Sequence, residues 1–184
     1  MNLIINLQQE VADIENFVEM GTNYIIVGPC NSEGIVPVIE EAQDKGVAVG
    51  TCDIGIEGVD VASFVSSDNY GIGEIAADYI GTEMNGEGEI AILTWPAASA
   101  TADRAKGFKD KMEEKYPNIK IVSEQDCNAD RSSSLAATES IIQANGDIKF
   151  VWGANAEMAL GAYAATQSLN RSDINVVAVD TDGE

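Results

Sequence analysis

Histidine is absent from the 184 residues. With it go the Ser-His-Asp and Cys-His relays that serve most hydrolases, and the commonest protein ligand for zinc and iron. Basic residues are scarce as well: 10 Lys and Arg stand against 31 Asp and Glu, a formal net charge of -21. A surface of that sign repels nucleic-acid phosphates and anionic lipid, which leaves neutral or cationic small molecules as expected partners, or a charge that serves only solubility. The three cysteines, Cys30, Cys52 and Cys127, are odd in number and lack C-x-x-C spacing, which argues against a disulfide framework. No apolar run reaches the ~18 to 20 residues of a membrane span, and Met1 is not followed by the basic stretch and apolar run of a secretion signal. Low-complexity linkers and short-period repeats are missing too.

What the chain does hold is enough apolar content, 45%, for a real core, and a length that fits one or two domains of ~150 residues. Short β-rich runs alternate with helical patterns throughout. A helix is expected over 7–20, where Val11, Ile14 and Val18 share a face and Gly21 ends it. The run Tyr24 to Val27 is too short for a helix and stops at Gly28-Pro29, as a buried parallel strand would. Ser32 is placed to cap the next helix, Pro37 falls in its first turn and Gly46 closes it. Further strands are expected over 47–52, 62–66, 89–94, 119–124, 149–153 and 176–179, with helices over 70–84, 101–116, 131–145 and 156–169. That alternation implies an α/β fold of parallel sheets with helices on both faces. The one strand-to-strand link without a helix, around Gly55 and Gly58, puts a lobe boundary near Ser67, giving lobes of residues 1–67 and 68–184.

In open parallel sheets ligands bind beyond the carboxyl ends of the strands. The residues in those places are Asp53, Trp95, Asp126 to Asp130, Asn155 and Asp180, with Arg104 early in the helix after Trp95. Carboxylates accept from hydroxyls, Arg donates in a planar fork, Asn does both and an aromatic ring covers the apolar face of a sugar. The set suits a polyol, although Asp and Asn after strands also serve as caps and turn residues, and Trp95 beside Pro96 also reads as packing. Two other motifs carry less. Gly71-Ile-Gly73-Glu-Ile-Ala76 has the spacing of a dinucleotide turn, but in a setting whose charge repels a pyrophosphate. Asp126-Cys-Asn128-Ala-Asp130 opens like a calcium loop, yet Arg131 and Ala137 stand where the turn glycine and the bidentate glutamate belong.

Five strings resemble the ribose-binding-protein group of bacterial transport receptors, of the periplasmic-binding-protein type I class. They are Asp13-Ile-Glu-Asn-Phe17, Tyr24-Ile-Ile-Val-Gly-Pro29, Ser67-Asp-Asn69, Arg104-Ala-Lys-Gly-Phe108 and Asn155-Ala-Glu-Met-Ala-Leu-Gly-Ala162, the last followed by Val176-Val-Ala-Val-Asp180. The resemblance implies two Rossmann-like lobes that close on a monosaccharide or related polyol and deliver it to an ABC permease, with no catalysis, no cofactor and no metal. It places hydroxyl-binding residues at Asp53, Arg104, Asn155 and Asp180, with Trp95 and Asn128 as further candidates. A periplasmic or lipoprotein location follows from the same likeness.

Two departures bear on the ligand: Ile54 stands where pentose binders of the group often carry Arg, and Ala129 where an aromatic commonly stacks on the sugar, so the ligand need not be ribose. Ala156 stands where Asp is usual, which alters a helix cap more than the site. Members of the group also begin with a strand, a helix and a second strand that have no counterpart before Asn2, and continue beyond Asp180. Both lobes are therefore expected to be incomplete, with the strand at Tyr24 to Val27 unprotected and the chain alone a weak receptor. Two other classes share the architecture: the effector domain of a lactose-repressor-type regulator, and a nucleotide-dependent α/β enzyme using the Gly71 turn.

Overall fold

The computed structural model describes residues 6–180. The chain divides into two compact units, one running to Ser67 and also holding Ala97–Ala100, the other holding Asp68–Pro96 and the residues from Thr101 onward. Each contains one all-parallel sheet.

In the first unit, α1 (Leu7–Glu19), β1 (Tyr24–Val27), α2 (Val36–Asp44), β2 (Ala48–Cys52) and β3 (Ser63–Val65) follow in order, and the strands pair β1-β2-β3. Asn6 caps α1, its side-chain oxygen accepting the N–H groups of Gln8 and Gln9. The core is aliphatic, with Ile14 of α1, Ile25 and Val27 of β1, Ile39 of α2 and Val49 of β2 buried together. Ser32 does not cap α2, contrary to the sequence expectation. Asn31 organises that turn, its side-chain oxygen accepting from the N–H groups of Glu33 and Gly34, and α2 starts later, at Val36, with Pro37 in its first turn. The Ser32 hydroxyl instead accepts from the backbone N–H of Ser99, while the Ser32 N–H donates to the Ala97 carbonyl. Ser99 Oγ in turn accepts from the Gly55 N–H. These bonds tie residues 97–100 to the first unit, a grouping that a single boundary at Ser67 does not foresee.

The second unit holds α3 (Asn69–Glu83), β4 (Glu87–Thr94), α4 (Ser99–Lys115, apart from its first two residues), β5 (Asn118–Asp126), α5 (Arg131–Ala144), β6 (Ile148–Gly153), α6 (Ala156–Ser168) and β7 (Asn175–Ala178). Its strand order is β5-β4-β6-β7. The central strands read as continuous apolar runs, Ile90 to Leu93 and Phe150 to Trp152, because helices cover them on both faces. Phe108 of α4 stacks on Trp152 with ring centroids 4.3 Å apart and planes 7° from parallel. Asp68, Asp130 and Asn155 cap α3, α5 and α6 through bonds to the N–H groups of Gly71, Ser133 and Met158.

The Gly71-Ile-Gly73 motif has a packing explanation in this unit. A Cβ on Gly73 would lie 2.0 Å from the Arg104 carbonyl oxygen, and one on Gly107 would lie 2.1 Å from that of Tyr70. The two glycines let α3 and α4 touch backbone to backbone. The first-turn donor that a pyrophosphate would need is already taken by the Asp68 carboxylate.

Candidate functional site

Register brings the carboxyl ends of the second sheet level with one another. Thr94 pairs with Asp126, Leu93 with Gly153, and Gly153 with Ala178. The chain leaves the sheet at each of these ends with one further ladder-like bond: Cys127 N–H to the Thr94 carbonyl, Ala154 N–H to Leu93, and Val179 N–H to Gly153. The next residues, Trp95, Asn155 and Asp180, are therefore set along one edge.

Arg104 is the centre of that edge. It lies in the second turn of α4, buried to 6% exposure. Its Nε donates to Asn69 Oδ1 at 2.8 Å, and its Nη1 donates to the Ala154 carbonyl at 2.9 Å and to Asp180 Oδ2 at 3.4 Å. Two of the three acceptors are neutral, and the one carboxylate is distant and half exposed (49%). The guanidinium is thus well hydrogen-bonded but weakly neutralised, a concentrated positive charge in a chain whose net charge is -21.

Asp180 adopts φ = +75°, a left-handed conformation that a non-glycine residue enters at some energetic expense. Asp53 at the end of β2 (φ = +65°) and Asn128 with Ala129 after β5 (φ = +51° and +52°) do the same. Four of the six left-handed non-glycine residues among those described lie within three residues after a strand, and the others, Asn85 and Asn170, lie two residues after helices.

The expected residues fall into three groups. Arg104, Asp180 and Asn155 come together in the second unit, Asn155 through its neighbour Ala154, although the Asn155 side-chain oxygen is already used to cap α6 at Met158. Trp95 is buried with no acceptor for its Nε1, and its carbonyl accepts from the Thr101 hydroxyl; it lines the interior more than the surface. Asn128 is exposed and bonds locally, its N–H donating to Asp126. Asp53, in the first unit, is exposed, its N–H donating to the Val65 carbonyl and its own carbonyl accepting from Ser66. Asn69 is the member that strand-end reasoning missed. It opens a helix beside Asp68, where the pair reads simply as an N-terminal cap.

Cys30, Cys52 and Cys127 are free thiols. Burial, and after it a hydrogen bond to Glu10, pushes Cys30 up to about 12, so this thiol stays protonated and unreactive near neutrality. No helix among the described residues is long and apolar enough to cross a membrane.

The chain is 34% identical over 173 residues to the ribose import binding protein of Bacillus subtilis (strain 168), an alignment covering 94% of this chain and 55% of that protein. Among solved structures, the fructose-binding periplasmic domain of a hybrid two-component system superposes with a TM-score of 0.92 at 25% identity, covering 98% of this chain and 60% of its own. A Caulobacter myo-inositol binding protein, solved with myo-inositol bound, gives a TM-score of 0.88 at 26% identity, with 96% and 62% covered. The chain thus spans little more than half the length of the curated relative. Residues 5–184 match the periplasmic binding protein domain, and with the two parallel sheets and the level strand ends already seen, the chain belongs to that family.

Proposed function

We propose that this chain is the ligand-binding part of a sugar-import receptor, which takes a monosaccharide or related polyol at the strand-end edge of the second unit and passes it, chemically unchanged, to an ABC permease. The observation that carries the reading is the buried, weakly neutralised Arg104 beside the half-exposed Asp180 carboxylate. A polyol offers every hydroxyl as both donor and acceptor, so a fork of N–H groups next to a carboxylate matches two neighbouring hydroxyls at once. Asp53, exposed at the end of β2, is an acceptor of the same kind in its own unit. The functions of the similar proteins, import of ribose and binding of fructose and myo-inositol, support the same ligand class.

The test is calorimetric titration with D-ribose, D-allose, fructose and myo-inositol of this chain completed by the segments that the longer Bacillus subtilis relative has outside the alignment. Saturable one-to-one binding of at least one of them is expected. Asp180→Ala removes a charged acceptor and should weaken binding by ~1.5 to 3 kcal/mol, roughly 10- to 150-fold. Asn155→Ala should weaken it similarly, with an added loss of about 1 kcal/mol in stability from the α6 cap. Asp126→Ala, whose carboxylate serves an exposed turn, should change affinity by less than about threefold. A completed, folded chain that binds none of the four sugars overturns the receptor reading, and a folded Asp180→Ala that binds like the parent overturns the site.

A further inference from the structure

A long cationic side chain recognises a ligand well only if its donor plane is fixed beforehand, because torsions frozen on binding subtract from affinity. Arg104 is fixed from two elements at once. Its Nε is tied to Asn69 at the start of α3 and its Nη1 to the Ala154 carbonyl just past β6. Bonds from both nitrogens hold the guanidinium against rotation about its last side-chain bonds, and Nη2 is left without a protein bond among the described residues. Asn69 is suited to this task by its place in the sequence. Asp68 takes the capping role at Gly71, and the Asn69 side chain is buried at 5% exposure with its oxygen on Arg104. A neutral acceptor is the chemically apt choice here, since it orients the cation without cancelling the charge that a hydroxyl oxygen would meet.

Resting on the receptor reading above, we infer that Asn69 is a positioning residue for the sugar site: it sets the Arg104 guanidinium so that its outer N–H edge faces the ligand. Asn69 itself need not touch the sugar.

A double-mutant cycle tests this with the same four sugars. Asn69→Ala should weaken binding of the preferred sugar about tenfold, the loss expected when one charge-assisted bond no longer holds Arg104. Asn69→Asp keeps an acceptor oxygen against Nε but adds the charge that the amide withholds, and should bind between Asn69→Ala and the parent. In an Arg104→Met background, Asn69→Ala should add no further loss, because the group it positions is gone. A purely structural role would instead give the same loss in both backgrounds. Should Asn69→Ala not fold, Asn69→Ser, too short to reach Nε, carries the same comparison. The ligand-free protein supplies a second readout: the Arg104 Nε–H proton should exchange slowly with solvent in the parent and faster in Asn69→Ser. Equal losses in the two backgrounds, or Asn69→Ala at parental affinity while Arg104→Met is weak, overturn the Asn69 assignment alone. Parental affinity in Arg104→Met overturns the receptor site, and the Asn69 assignment falls with it.

Discussion

Gly73 shows how one missing side chain governs a helix pair. Replacing a helical glycine with alanine normally favours the helix by about 1 kcal/mol. At Gly73 the new Cβ would be 2.0 Å from the Arg104 carbonyl oxygen and 2.7 Å from the Phe108 nitrogen, so α3 and α4 would have to part, and overpacking of this kind costs about 1 to 3 kcal/mol or more. The steric term wins. Gly73→Ala should therefore be destabilising, whereas Gly146→Ala, with nothing within 4 Å of its added Cβ, should be neutral or slightly stabilising. Urea unfolding of both variants decides it: equal midpoints would show that the close approach is easily relieved. Because Arg104 is one of the atoms' owners in that contact, the same glycine also sets where the guanidinium starts from, a link from packing to the site.

Among elements, β1 carries the clearest liability. It is an edge strand, and its outward residues Tyr24 and Ile26 are exposed, Ile26 to 69%. A groove of about 240 Å³ runs beside it, bordered by Phe17 and Ile26, with Glu10 and Asp13 also lining it. Unpaired N–H and C=O groups next to exposed apolar side chains form a template for another strand, and a lysine on such an edge is the usual natural deterrent. Ile26→Lys should lower concentration-dependent self-association, followed by sedimentation velocity across a dilution series. An unchanged sedimentation profile, with the parent associating as before, would mean that the chain associates through another face.

At the scale of the whole molecule, electrostatics oppose folding. With 10 basic residues, at most 10 of the 31 acidic charges can be neutralised, and exposed pairs such as Lys106–Asp110 and Lys45–Glu41 contribute little each. Raising salt from about 0.02 M to 0.5 M shortens the screening length from roughly 20 Å to about 4 Å, relieving more repulsion than attraction. The melting temperature should rise by about 2 to 8 °C, equivalent to about 1 to 2 kcal/mol; a fall would show that ion pairs outweigh the net charge. Some carboxylates work against this trend in acid. The Lys115 ammonium holds Asp78 below the usual range, the Ser133 backbone N–H does so for Asp130, and the Arg171 guanidinium for Asp173. Folded values lower than unfolded ones mean that their contributions are present at neutral pH and are lost as pH falls through the lowered values.

The order and type of the elements could be read from the sequence because they depend on local patterns: a four-residue apolar run before Gly28-Pro29, an Asp or Asn before four of the six helices, and a glycine or proline after several of them. Those patterns act over a few residues, and all thirteen described elements lie close to where they predict. Polar residues following strands are legible for the same reason, which is what makes Asn155 and Asp180, with Arg104 early in α4, candidates. Tertiary structure alone decided what these residues do. Arg104 meets partners 35, 50 and 76 positions away, and no local periodicity encodes which helix start or strand end will face it. Only the fold could show that Asn69 turns inward while Asp68 caps, that Gly73 serves a helix contact, or that Ser32 bonds to Ser99 rather than opening α2. Each of these follows from the spatial packing within a unit, around β1-β2-β3 in the first and β5-β4-β6-β7 in the second, which brings together groups that the chain itself keeps far apart.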